Sequence, residues 1–471
     1  MKASTRDGST RAASRALSAT FGALVAGLLA LPAVASAQHG ALTQLPTVQG
    51  CISEGGSGTC TDGDLLDGAF SVAVSKDGRN AYVALIDGAA VAALARDPKT
   101  GALMQLASPQ GCIGDTHAGL CAAGRGLVAP VAVAISNDGK NVYVVSSQRD
   151  PVPISALVVL ARDVKTGALT QLPGESGCIS ADVAGCAGGI ALRGGTSVAV
   201  TKNGLNVYLA SEQGTVAVFV RDPKTGALTQ LAEPNGCVSP DGSGGHCIQG
   251  HALDGAHGIA VSSDDANVYV AAERSQAVAL FARNKKTGAI AQIPDVAGCF
   301  SEGGSGGLCW DGVGLGGPTA VAVSPDGKEV YLVSPSSNEV AVLGRDTRSG
   351  ILFQLPPPQG CISEDGSGGW CTTGHALRQP FSVAVSPDDW HVYVGARDDD
   401  AVAVFAQNKQ SGVLTQLSSP QACISDVDSA GLCTLGRALG DPRSVTVSRD
   451  GKNVYVAAQG SKAVAVLKRR P

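Results

Sequence analysis

Five residues hold the clearest chemical potential in this sequence: His257, Glu212, Glu273, Arg397 and Arg443. They stand out by comparison within the chain itself. Seven internal copies of one unit can be aligned, and two columns of that alignment break its uniformity. The first column, at the start of an alternating apolar run, reads Phe70, Val131, Thr196, His257, Thr319, Phe381 and Arg443. The second, after the next such run, reads Ile86, Ser147, Glu212, Glu273, Pro335, Arg397 and Gln459. A carboxylate or an imidazole can activate water, and arginines can hold a carboxylate or an oxyanion. A polar rim that is only solvated would use the same residue types. No G-x-S-x-G elbow, H-E-x-x-H motif, Walker loop or dinucleotide fingerprint is placed between a strand and a helix. His117, His246, His251, His375 and His391 are scattered among the copies and are expected at the surface.

The cysteines form the second candidate set. All fourteen fall in seven pairs: Cys51 with Cys60, Cys112 with Cys121, Cys178 with Cys186, Cys237 with Cys247, Cys299 with Cys309, Cys361 with Cys371 and Cys423 with Cys433. Separations of 8 to 10 residues do not match the C-x2–4-C of zinc sites. An even count suits disulfides formed in an oxidising compartment, and proximity favours pairing within each loop. Closing a loop of about 10 residues contributes roughly 2.5–3 kcal/mol. Several loops carry an acid among glycines, namely Glu54, Glu302, Glu364 and Asp241, and Asp426 and Asp428 form a further pair. Such loops could take calcium or an anion, but each supplies too few oxygens for the 6–8 ligands of a calcium cage. No cofactor is expected. Trp310 and Trp370 lie beside loop cysteines and could stack on a sugar.

Those residues need a scaffold, and the repeat describes one. First cysteines recur at intervals of 61, 66, 59, 62, 62 and 62 residues, the 66 reflecting an insertion at residues 149–153. Each unit has three short alternating runs and then a G-A-L-T-Q-L-like phrase. In the fifth copy these are residues 319–324, 329–333, 339–343 and 351–355, with Pro325-Asp326-Gly327-Lys328 as a turn. Such runs, rich in Val and Tyr and bounded by Gly, Pro and Asp, predict strands. Four antiparallel strands per unit, seven times, predict an all-β, seven-bladed β-propeller. The last unit, ending at Pro471, lacks its phrase, and an unattached copy stands at residues 40–45. The N-terminal strand is therefore expected to complete the last blade, which removes an exposed edge. Residues 38–471 read as one domain with a cysteine-paired loop per repeat. The turns within blades are tight and uniform and are expected to leave little room for a site. The two variable columns should ring the mouth of the central channel on the other face.

The cadence S-x-D-G-x-x-V-Y-V-A, at residues 136–144 and 448–457, resembles YVTN-repeat propellers. With the turn Arg96-Asp97-Pro98-Lys99-Thr100-Gly101-Ala102-Leu103, it also resembles the seven-bladed lactonase-like family, which includes 6-phosphogluconolactonase-type and carboxymuconate-cyclase-type proteins. The likeness spans nearly all of residues 40–468. It implies the propeller fold and, for activity, the opening or isomerisation of lactones. Gly255-Ala256-His257-Gly258 is similar to channel-facing histidine segments of that family. The cysteine loop departs from it.

Residues 1–37 read as a secretory signal, with Lys2, Arg6, Arg11 and Arg15 before an apolar run and Ala35-Ser36-Ala37 at the cut. The expected address is secreted or periplasmic, with no membrane span after cleavage. Beyond the signal, 31 basic residues face 39 acidic ones, a net charge of −8. That sign argues against nucleic acid as a partner. The first expectation for function is a binding platform for a small molecule, glycan or protein on the loop face. The alternative is a lactone hydrolase or cycloisomerase at the channel mouth. A monomer is expected.

Overall fold

The structure is a computed structural model that describes residues 38–470 apart from Ser57, His117, Ala118, Asp150, Pro151, Val152 and Asp428. The expected signal, His117 and Asp428 thus lie outside the described residues. Seven antiparallel sheets follow one another around a ring, and each inner strand neighbours the next, the seventh returning to the first. Among the described residues there is no α-helix, so none is long and apolar enough to cross a membrane.

In blade one, Ala69–Val74 is the inner strand, Asn80–Leu85 the second and Ala90–Arg96 the third. The fourth position differs from the single strand expected. Leu103–Gln105 covers one half of the third strand, and Cys112–Gly114 covers the other. The cysteine segment is thus partly sheet edge rather than free loop.

Each cysteine pair is disulfide-bonded within its own segment, as the spacing suggested. Cys51 bonds to Cys60, Cys112 to Cys121, Cys178 to Cys186 and Cys237 to Cys247. Cys299 bonds to Cys309, Cys361 to Cys371 and Cys423 to Cys433. In each pair the first cysteine is fully buried at the start of an edge strand, as Cys237 and Cys299 show. The second, such as Cys247 or Cys309, ends the loop that the bond closes, just before a short parallel strand. The bond therefore anchors each glycine-rich loop to the sheet, and no thiol is left to ligate zinc.

Ring closure follows the expected pattern and extends it. The last blade's Ala463–Arg469 pairs with Leu42–Gln44, setting Leu42 opposite Arg469 and Gln44 opposite Leu467. Cys51–Glu54 then covers the rest of the same strand. Two N-terminal strands, not one, pair with this strand, and Thr61–Gly63 adds a third to the sheet beside Cys51–Glu54.

Burial explains the residue pattern. Second strands such as Asn206–Ser211 are buried at every position, because each blade is sandwiched between two others. They read as near-continuous apolar runs. Inner strands such as Gly195–Val200 are only partly buried, with Gly195 and Val198 buried and the rest half-buried beside the channel. The core is seven wedges between adjacent blades. One of them packs Tyr455 and Val466 of blade seven against Val83 and Leu94 of blade one.

Two polar devices repeat between blades. First, an arginine ending the third strand donates to the tyrosine of the preceding blade: Arg96 to Tyr455, Arg162 to Tyr82, Arg221 to Tyr143, Arg283 to Tyr208, Arg345 to Tyr269 and Arg469 to Tyr393. All but Arg283 also pair with the turn aspartate of that blade, and the exception faces Asn203 where the others face Asp. Second, the glutamine of the G-A-L-T-Q-L phrase clips two loops. Gln230 Nε2 donates to Gly236 O at 2.9 Å in its own blade and to Ile190 O at 3.0 Å in the linker from the blade before.

The blade six–seven interface has a variant. His391 stands where five copies carry Asn, and it is buried rather than at the surface as expected. Arg469 Nη2 donates to its Nδ1 at 2.9 Å. Burial, with the Arg469 charge beside it, pushes the His391 pKa down to about 4. The unfolded chain takes up that proton near pH ~6.5. The contribution to stability is therefore complete above that pH and declines as pH falls toward 4. Melting temperature should drop across this window, and His391→Asn should flatten that part of the profile. A profile identical in the variant would overturn the assignment.

Candidate functional site

The first variable column falls on a repeated local irregularity. In six blades the inner strand slips register at its second residue: at Phe70, Val131, Thr196, His257, Phe381 and Arg443. Bulges re-aim side chains, and here they turn these residues toward the channel mouth. A cavity of about 650 Å³ opens there, with His257, Arg443, Glu212, Phe70, Phe381 and Arg149 in its lining. A narrower space of about 140 Å³ continues down the inner strands.

His257 is the most constrained of these residues. Its Nδ1 donates to Thr319 O of the next blade at 3.0 Å. Gly258 makes that approach possible, because a Cβ there would lie 2.8 Å from Thr319 O. The bond fixes the tautomer and leaves Nε2 as the acceptor nitrogen. The ring also meets Phe381 edge-on at 5.4 Å. Burial holds its pKa below the ordinary histidine value, although the Thr319 carbonyl and the charges of Glu273 and Glu212 oppose this. The imidazole is thus neutral at neutral pH.

The arginines are held by a residue that neither variable column contains. Asp441 accepts from Arg397 Nε at 2.7 Å and from Arg443 Nη2 at 2.9 Å. Both guanidiniums lie over Phe381, at 5.4 and 5.2 Å from its centroid, and Arg443 also lies over Phe70 at 5.3 Å. Arg149, from the insertion, forms an ion pair with Glu212 across the blade two–three boundary. The structure therefore brings His257, Arg443 and Glu212 to one cavity. Arg397 stands behind Arg443 through Asp441, and Glu273 is exposed outside the lining. Arg149 belongs to a segment present in only one copy, so a column comparison had no column for it.

The acids of the cysteine segments have structural partners. Glu302 accepts from Leu315 N at 2.9 Å, Glu364 from Leu377 N at 2.8 Å and Asp426 from Leu439 N at 3.1 Å. Glu54 holds Leu66 N in the same way, and Asp241 holds Ser243 N. Among the described residues no three His, Cys, Asp or Glu side chains converge as a metal cage would require. Trp310 packs on Phe300, whereas Trp370, 60% exposed, lines a separate cavity of about 440 Å³ with Glu302 and Asp311.

A family model described as "Lactonase, 7-bladed beta-propeller" matches residues 314–471. No curated protein sequence matches the chain. Solved structures do. A candidate 6-phosphogluconolactonase from Bacteroides uniformis superposes with TM-score 0.53 at 20% identity, covering 84% of this chain and 91% of its own. A second, from Bacteroides fragilis, gives TM-score 0.53 at 17% identity over 87% and 93%. A periplasmic gluconolactonase from Pseudomonas aeruginosa gives TM-score 0.50 at 17% identity over 80% and 93%. At such identities these structures share the fold and nothing finer. The family model covers the last third of the chain, and the solved structures share its fold, so together they identify the chain as a seven-bladed β-propeller whose C-terminal part is similar to the lactonase family.

Proposed function

We propose that the protein opens a small lactone at the channel mouth, with His257 as general base and Arg443 as the group that holds the developing oxyanion. The observation that carries this is His257 itself: a neutral imidazole, its tautomer fixed by Thr319 O, its Nε2 without a hydrogen-bond partner among the described residues, in a cavity that also contains a guanidinium. Nε2 takes a proton from water as the water oxygen attacks the lactone carbonyl. The C–O bond of the ring then breaks, and the leaving alkoxide recovers the proton from the imidazolium. Water is consumed and a hydroxy acid is released. Phe70 and Phe381 give the ring of the substrate an apolar wall, and the Arg149–Glu212 pair sets the polarity of one side.

Histidine must be neutral to act as base, and its pKa lies below the usual value. kcat/KM should therefore stay level as pH falls through about 6.5 and decline only below that. His257→Ala should lower kcat/KM by about 10²–10⁴ on whichever compound of a lactone panel is turned over, with the melting temperature little changed. Activity unaffected by that change would remove His257 from the mechanism.

Seven disulfides and the signal-like N-terminus support action outside the cytoplasm. A second reading, a glycan-binding platform on the loop face, is favoured by one observation: the exposed Trp370 beside Glu302 and Asp311. Trp370→Ala should abolish any glycan-array binding and leave lactone hydrolysis intact.

A further inference from the structure

The tight-turn face, expected to leave little room, holds a cavity of about 400 Å³ between blades five and six. It lies where the sevenfold pattern of polar locks fails. Six interfaces insert an arginine from the following blade against a tyrosine of the preceding one. The seventh has Gln407 in place of the arginine. The residue facing it has also changed. Where five copies carry Asn and one His, this one carries Glu329.

The exchange alters the chemistry in a definite way. In other interfaces the Asn amide donates to the neighbouring turn, as Asn453 Nδ2 does to Thr100 O at 3.0 Å and Asn141 Nδ2 to Thr225 O at 3.1 Å. A carboxylate has no such donor. The turn of blade six accordingly stands off. A Cβ on Gly412 would lie 3.5 Å from Glu329, whereas one on Gly101 would lie 2.3 Å from Asn453. The tyrosine hydroxyl loses its bonds as well. Tyr269 Oη donates to Gly350 O at 2.8 Å and accepts from Arg345, but Tyr331 Oη has no partner among the described residues.

The result is a cluster of buried groups that lack partners: Glu329 Oε2, Tyr331 Oη, Asp389 Oδ1 and both amide atoms of Gln407. Gln407 lies beside the Glu329 carboxyl without meeting hydrogen-bond geometry. Asp389 shows why one orphan arises. Its counterpart Asp265 accepts from both Lys202 N and Asn203 N, but here the first position is Pro325, which has no N–H. Glu329 is only 5% exposed, Asp389 5% and Gln407 3%. Buried polar groups in native proteins are almost always bonded, so a clustered set of orphans calls for a partner. Most of these atoms are acceptors, and Glu329 lines the cavity.

We propose that this cavity binds a small molecule with a guanidinium head, which takes the role that an arginine side chain plays in the other six interfaces. The head donates to Glu329 at the cavity wall. Cations at the rim are mostly committed: Lys328 to Asp326, Arg345 to Asp264 and Lys409 to the Asp388 carbonyl. Arg348, exposed on the turn, remains to meet an anionic tail. Phe353, 49% exposed and packed against Gly344, supplies an apolar wall for the stem between them. A guanidinium-headed amino acid has this order of charges, and L-arginine is its simplest form.

Isothermal titration of the full chain with L-arginine tests the proposal. One site is expected. L-citrulline, with the same skeleton and a neutral head, should bind at least tenfold more weakly. Glu329→Gln should weaken L-arginine by a similar factor. Gln407→Arg should abolish binding by supplying the guanidinium from within, and should raise the melting temperature. Absence of heat with L-arginine, equal binding of citrulline, or undiminished binding to Glu329→Gln would each overturn the proposal. Binding of calcium in place of L-arginine at the same carboxylate would do so too. Lactone turnover bears on neither result, since His257 lies on the opposite face.

Discussion

Arg221→Ala is expected to destabilise the fold by about 3–5 kcal/mol, the cost of removing one partner from a buried charged network. Arg221 is 2% exposed at its side chain and serves four groups of the neighbouring blade or turn. Nε donates to Tyr143 Oη at 2.6 Å, and Nη1 to Gly204 O at 3.0 Å. Nη2 donates to Asn141 Oδ1 at 2.7 Å and meets Asp138 at 2.9 Å. Truncation takes the guanidinium donor from the buried Gly204 O and Asn141 Oδ1 and removes the charge paired with Asp138, which is a third exposed and keeps its bond from Ser136 Oγ. Arg221→Lys should recover little, because an ammonium cannot reproduce the planar fork. Denaturant midpoints measured on both variants decide this. A loss under ~1 kcal/mol, the scale of a surface pair, would show that the network is not what holds blades two and three together.

Deleting residues 38–46 is expected to have an effect of similar or greater size. The segment buries Ala41, Leu42 and Leu45 at 2%, 2% and 6% exposure, and Leu42 belongs to the wedge between blades six and seven. Losing a buried leucine typically costs about 2–5 kcal/mol. The deletion also exposes the backbone of Leu467, Lys468 and Arg469, which Gln44, Thr43 and Leu42 now pair. Cys51–Glu54 would still cover Ala463, Val464 and Ala465, so the blade should loosen at one end rather than disappear. Thermal melts and hydrogen exchange at residues 467–469 report this directly. An unchanged melt would sink the account of closure.

Much of this architecture was legible because repetition amplifies a weak signal. One five-residue Val/Tyr run is ambiguous, but seven at equal spacing are not. Ring closure was readable from a single unattached phrase. Less legible was what the repeated polar residues do. Asp138, Asn141 and Tyr143 look like a turn followed by a strand, and locally they are, with Ser136 Oγ donating to Asp138 at 2.6 Å. Their second role, as the socket for Arg221, depends on a residue 78 positions or more away and carries no local pattern. The same holds at the channel. His257 and Arg443 could be picked out because their column was otherwise bland. Asp441, which orders two arginines, sits outside both columns, and Arg149 lies in an unrepeated insertion. Glu329 and Gln407 were hidden for another reason: each is an ordinary residue by type, and only the sixfold precedent of Asn or His opposite Arg makes the exchange visible.

Within blade seven the two ends of the described chain run side by side. Gly40 N donates to Arg470 O at 2.9 Å, and Arg470 N to Ala41 O at 3.0 Å. A short Gly/Ser linker could join them without displacing either strand. New ends could then be opened in the segment before any inner strand, such as residues 314–318. A chain rearranged in this way would contain seven covalently continuous blades and no divided one. Which blade seals the ring is therefore a matter of where the polypeptide is opened, not of how the blades pack.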